Sequence, residues 1–106
     1  MNTINIKELK AIVENWARSI EPGIRIYLFG SQSKGTATHK SDIDLAIEFL
    51  EKISKDEIDN IIVCDGLDLE EAIKKAMNRK VCLEDYQIKK VRDYVKDGHI
   101  VIYEHE

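Results

Sequence analysis

Leu28-Phe29-Gly30-Ser31, ten residues, then Asp42-Ile43-Asp44-Leu45: this stretch decides both the fold and the chemistry of the chain. Ile24 to Phe29 (IRIYLF) is a β-branched and aromatic run that predicts a strand. The chain then turns at Gly30, where no Cβ obstructs a close ligand. Ser31 stands where a short helical turn begins, with free backbone N–H groups and a hydroxyl donor. Gly30 to Ser41 (GSQSKGTATHKS) is a polar connection in which Lys34 and Lys40 add positive charge. By composition this is a phosphate cradle. The second strand, Asp42 to Phe49, alternates strictly: Ile43, Leu45, Ile47 and Phe49 point one way, Asp42, Asp44, Ala46 and Glu48 the other. Asp42 and Asp44 therefore project from one face, where each raises the pKa of its neighbour. A divalent cation relieves that repulsion, and Mg²⁺ takes a few carboxylate oxygens together with phosphates and water. Two such ions clamp the attacking and leaving oxygens of a phosphoryl displacement. D-x-D alone reads as an exposed edge strand; beside a Gly-Ser turn it suits nucleoside triphosphate chemistry.

Working outward, Leu9, Ile12, Val13, Trp16, Ala17 and Ile20 form one apolar stripe of a leading helix. Asn5 and Glu8 supply a capping box, and Pro22-Gly23 end the helix. Ser54 to Cys64 carries both a capping pair (Ser54, Glu57) and strand-like residues (Ile61, Ile62, Val63); the reading leans to helix. Asp65-Gly66 predicts a turn, and Asp68 then caps a helix with the stripe Leu69, Ala72, Ile73, Ala76, Met77. Arg79 to Glu84 reads as a third strand. Asp85 caps a helix carrying Ile88, Val91 and Val95, which Gly98 closes. Ile100 to Tyr103 reads as a last strand, followed by a frayed polar tail, Glu104 to Glu106. The expected fold is α+β: a small mixed β-sheet with helices mainly on one face.

Composition excludes several classes. The 106 residues carry 16 Lys plus Arg against 20 Asp plus Glu, a formal charge of −4, so a DNA-coating basic face is not expected. The length predicts one domain over residues 1–106. Apolar runs of four residues exclude a transmembrane helix, and the N-terminus MNTINIKELK has no signal-peptide core, so the cytoplasm is expected. Cys64 and Cys82 lie far apart, and His39, His99 and His105 are scattered, without zinc spacing. Trp16 and Tyr27 read as core rather than as base-stacking residues. His39 reads as a solvated loop residue, Lys34 as the better phosphate contact. Lys74-Lys75 and Arg79-Lys80 read as a wet face, while Tyr86, Tyr94 and Tyr103 stay unassigned.

FGS-x10-DIDL, with Lys34-Gly35 inside the loop, resembles the signature of the DNA polymerase β-like nucleotidyltransferase superfamily. The length and the leading helix are similar to its minimal nucleotidyltransferase (MNT) domains, which are commonly encoded beside a HEPN-domain protein. The resemblance covers most of the chain and implies a nucleotidyltransferase fold. It implies that Gly30 and Ser31 contact the nucleotide phosphates and that Asp42 and Asp44 hold Mg²⁺. It further implies transfer of AMP from ATP to a hydroxyl, with pyrophosphate leaving. In such pairs the domain is an antitoxin in a hetero-oligomer with a HEPN toxin, and the acceptor is a toxin tyrosine.

One departure stands out. The family pattern carries a third carboxylate on the next strand, and here that strand reads Val81-Cys82-Leu83-Glu84. Cys82 is a poor ligand for a hard cation. Glu84 lies on the same strand face, about 6–7 Å along, and is the first candidate replacement. Glu48 shares the face of the two aspartates and is another. A third answer is that no strong base is needed, since positioning and metal charge carry most of phosphoryl transfer. Two functions therefore stand side by side: an Mg²⁺-dependent adenylyltransferase using Asp42, Asp44 and Glu84, and a weak or inactive module that neutralises a toxin by binding. A third, a subunit modifying a small molecule such as an aminoglycoside, lacks room for a substrate domain.

Overall fold

The computed structural model describes residues 4–34 and 41–105. Helix α1 (Ile6–Ala17) starts at Asn5, whose Oδ1 accepts the Glu8 N–H at 3.0 Å, so the expected cap forms. It buries Leu9, Val13, Trp16 and Ala17. It ends at Ala17, ahead of Pro22-Gly23, and Ile20 is buried from the turn that follows. Strand β1 (Ile24–Phe29) falls where the β-branched run predicts it; α2 (Ser31–Lys34) is the short turn after Gly30. Strand β2 (Ile43–Phe49) buries every residue except Asp44 and Glu48.

Helix α3 (Lys55–Asn60) opens at Ser54, whose Oγ accepts the Glu57 N–H at 3.1 Å. The leaning towards helix is therefore right, but the Asp65-Gly66 turn is not formed. The chain instead runs through one π-helical stretch, Ile61–Asp65, directly into α4 (Gly66–Met77). Glycine serves close packing here: a Cβ on Gly66 would lie 3.2 Å from Leu83 Cδ2. The Asp65 carbonyl accepts the Trp16 indole N–H at 2.8 Å, so tertiary contact, not a loop, absorbs the break in the ladder. Asp68 consequently lies inside the first turn rather than capping it, and Ala72 and Ala76 are exposed while Leu69 and Ile73 are buried.

Strand β3 (Val81–Asp85) extends one residue past the expectation. Asp85 caps nothing helical: its Oδ1 accepts the Gln87 N–H at 2.9 Å in a turn, and α5 (Lys89–Asp97) starts after Ile88. Strand β4 (His99–His105) absorbs Glu104 and His105, against the expected frayed tail, because Glu104 accepts from Arg25 across the sheet.

The sheet order is β3-β2-β1-β4. β1 pairs antiparallel with β2 and β4, and β2 pairs parallel with β3, so the sheet is mixed as expected. The α3–α4 crossover is what permits the parallel pair. On one face Ile24, Ile26, Leu28, Ile43, Leu45 and Ile47 pack against α1, α3 and α4. On the other, Tyr27, Phe29 and Ala46 pack against Val91 and Val95 of α5, with Tyr86 and Tyr94 alongside. Part of that second face stays open. Among the described residues no helix is long and apolar enough to cross a membrane.

Candidate nucleotide and metal site

The site lies where β1 ends beside the start of β2. Gly30 has φ +75°, a left-handed conformation that costs a side chain about 1–2 kcal/mol. A Cβ there would also sit 2.6 Å from Asp44 Oδ2. Backbone conformation and space thus both demand glycine. Ser31 follows at the head of α2, half-buried. The Ser33 N–H donates to the Gly30 carbonyl at 3.1 Å. Ser33 Oγ lies 2.9 Å from that carbonyl and 3.3 Å from the Gly98 carbonyl, which pins the turn to the α5–β4 junction. Gln32 is buried beneath it, its Nε2 donating to the Ser41 carbonyl at 3.3 Å.

Asp44 stands between Phe29 of β1 and Cys82 of β3 in the strand register; Ala46 stands beside Glu84. Asp44, Cys82 and Glu84 therefore share one face of adjacent strands, and Asp42 sits just before the strand on the same side. The Asp44 carboxyl is held above the usual carboxylate range, by burial first, then by the charges of Asp42 and Glu84. The Cys82 thiol is also pushed up, by burial and then by Asp44 and Asp42, so it stays protonated at neutral pH. Among the described residues, Asp42, Asp44 and Glu84 make no side-chain hydrogen bond or ion pair.

Such concentrated negative charge is what a divalent ion relieves. Among the described residues no group of three or more His, Cys, Asp or Glu side chains could hold a metal by itself. The protein thus offers a carboxylate pair, leaving the remaining oxygens to phosphates and water. That donor set fits Mg²⁺.

Glu48 is not a substitute for the missing carboxylate. At the far end of β2, its Oε1 accepts the Tyr27 hydroxyl at 2.6 Å and pairs with Arg25 Nη1 at 3.0 Å. Lys34 closes α2, and its side chain lies outside the described residues, as do His39 and Lys40. Trp16 and Tyr27 are core, as their patterns indicate. Tyr86 stacks on Tyr27, and Tyr103 packs against the main core.

Sequence reading missed the other wall of the site. Gly30, Asp44, Cys82 and Glu84 line a cleft of about 430 Å³. Its opposite side is Phe29 with Ile88, Lys90, Val91 and Tyr94 of the α5 region. Lys90 Nζ lies 5.9 Å from the Tyr94 ring centroid. No signal in the sequence marks it: Ile88 reads there as part of the stripe with Val91 and Val95, and only the fold leaves it and Tyr94 half-exposed.

A tight Gly-Ser turn beside a D-x-D strand, on a small mixed sheet, is the arrangement of a nucleotidyltransferase fold. The chain belongs to the polymerase beta nucleotidyltransferase family, whose model matches residues 8–106. No curated protein matches. A chain of a toxin–antitoxin crystal structure with AMP-PNP superposes with a TM-score of 0.65 at 22% identity, covering 92% of this chain and 74% of that one. A mutant of the toxin–antitoxin MntA–HpeT gives 0.66 at 19%, covering 97% and 76%. The tri-AMPylated Shewanella oneidensis HEPN toxin in complex with MNT antitoxin gives 0.60 at 18%, covering 95% and 74%. At these identities the likeness establishes the fold.

Proposed function

We propose that residues 1–106 act as one minimal nucleotidyltransferase domain, an antitoxin that transfers AMP from ATP to a tyrosine hydroxyl of a partner HEPN toxin. The observation that carries this reading is the convergence of Gly30, Asp44, Cys82 and Glu84 on one cleft, with Asp42 beside it. The AMP-PNP and tri-AMPylated complexes of the structural neighbours support the nucleotide and the acceptor.

In this reading Gly30 and Ser31 receive the phosphates, and Gly30 lets them approach because it has no side chain. Asp42 and Asp44 would hold Mg²⁺, which when bound supplies positive charge against the phosphate oxygens. The acceptor oxygen bonds to the α-phosphorus as the bond to pyrophosphate breaks, and Glu84 takes the hydroxyl proton. Glu84 is exposed and Asp44 half-buried, so the two carboxylates divide naturally between proton transfer and metal holding.

A second reading is favoured by one specific feature. Cys82 occupies the register position beside Asp44 where the family pattern has a carboxylate. A neutral thiol there suits a module that binds its toxin without modifying it. Intact-mass spectrometry of the partner, co-expressed with this protein or with its Asp42→Asn, Asp44→Asn variant, separates the two. The first reading expects added AMP masses with the wild type alone. An unmodified partner that co-purifies with both forms leaves only the binding module.

A further inference from the structure

The cleft has two unlike halves. One is polar: Asp44, Cys82 and Glu84 on the strands. The other is an apolar wall, where Phe29 and Tyr94 stack with ring centroids 6.4 Å apart and planes 14° apart. Ile88 and Tyr94 are 50% and 51% exposed, large apolar side chains left in water at the edge of a concave site. Ile88 follows β3 by three residues, so one end of the wall adjoins Cys82 and Glu84, while Tyr94 at its other end stacks on Phe29, the residue before Gly30.

An in-line displacement brings the acceptor in opposite the leaving group. With pyrophosphate at the Gly30–Ser31 turn, the Ile88 end of the wall, beside Cys82 and Glu84, is the part of the cleft left for the acceptor. Serine and threonine have no ring to cover Ile88 and Tyr94. A phenol has both parts the cleft asks for: a flat apolar body, and a hydroxyl at its tip that donates to a carboxylate. Resting on the proposed transfer reaction, we infer that Ile88, Val91 and Tyr94 form an acceptor subsite that seats a tyrosyl ring, with its hydroxyl directed towards Asp44 and Glu84. These side chains are specificity-determining positions on α5 and the turn before it, outside the Gly-Ser and D-x-D motifs.

The test uses the ¹⁵N-labelled full chain with Mg²⁺ and α,β-methylene-ATP, which cannot release AMP. Amide shifts are followed while N-acetyl-tyrosinamide is titrated, with the phenylalanine and serine analogues as controls. The subsite predicts shifts centred on residues 88–94 and Phe29, several-fold weaker binding of the phenylalanine analogue, and none of the serine analogue. Tyr94→Ala and Ile88→Ser, both at half-exposed positions, should each weaken tyrosinamide binding about tenfold or somewhat less, the scale of a lost ring or apolar contact. Shifts elsewhere, or equal binding of all three probes, overturn the inference. So does a nucleotide that by itself shifts residues 88–94 and competes with tyrosinamide, which makes the wall a base subsite. If the nucleotide leaves Gly30, Asp42 and Asp44 unshifted while tyrosinamide still seats on α5, the transfer reaction fails and the ring subsite stands.

Discussion

The open face of β2 carries carboxylates at both ends, and they meet opposite fates. At the far end Glu48 is neutralised: Arg25 lies between it and Glu104, and the Tyr27 hydroxyl donates to it at 2.6 Å. Burial and the Glu48 hydrogen bond together hold the Tyr27 phenol above its usual range, so it remains a donor. At the near end Asp42, Asp44 and Glu84 crowd together with no ion pair to any of them among the described residues, and Asp44 is pushed towards its neutral form. The strand, the face and the residue class are shared. What differs is satisfaction: the far end is finished by the protein, the near end awaits charge from outside. Such an unsatisfied cluster in a concave site marks function rather than stability.

Breaking the near end should have the largest effect. Asp42→Asn with Asp44→Asn removes the carboxylate pair, and AMP transfer to the partner is expected to fall by about 10³-fold or more, the scale of several kcal/mol of metal-derived stabilisation. Quantitative intact-mass kinetics would read this; a loss under tenfold contradicts the assignment. Glu84→Gln keeps the shape and removes the base, and a fall of about 10²-fold is expected in the same assay. An unchanged rate means that no base is needed beside Cys82.

Gly30→Ala tests the turn itself. The substituted side chain is strained at φ +75° and collides with Asp44. A stability loss of about 1–2 kcal/mol in urea unfolding is expected, with Mg²⁺-dependent nucleotide binding lost as well. At the finished end, Tyr27→Phe should cost about 1 kcal/mol through the hydrogen bond to Glu48 and leave transfer intact. Any effect on transfer would mean that the two ends are coupled.

The smallest and most diagnostic change is Asp44→Asn in the absence of metal. Because the folded Asp44 carboxyl is raised above its ordinary value of 3.8, its ionised form costs stability above that pH. The asparagine variant is therefore expected to melt a few degrees higher at pH 7 in EDTA. That gain should shrink as pH falls through the raised folded value and vanish below 3.8, where the wild-type group is protonated in both states. A variant that melts lower at pH 7 would show that Asp44 is satisfied after all.

Much of the fold was legible because local patterns agreed with their surroundings. The Asn5 and Ser54 caps, the IRIYLF strand and the alternation of β2 each combine a local preference with a burial pattern. The errors fall where a distant residue overrides a local signal. Asp65-Gly66 is a turn dipeptide, yet Leu83 and Trp16 hold it in a helical run. Glu104 is a polar end residue, yet Arg25 draws it into the sheet. For the proposed site, the sequence already sets Gly30, Ser31, Asp42 and Asp44 near one another, because one strand and one turn fix their positions. Glu48 fits the sequence pattern but not the site, because strand periodicity gives its face and not its partners.

By itself, the sequence determined the motif, the alternation that sets both aspartates on one face, and the departure at Cys82, because period and residue type are local properties. Only the tertiary structure decided that Glu48 is consumed by Arg25 and Tyr27. It alone decided that Gly30 must be bare to clear Asp44, and that α5 lends the cleft an apolar wall. Those facts depend on which residues meet across strands far apart in the chain, and no local pattern encodes such meetings.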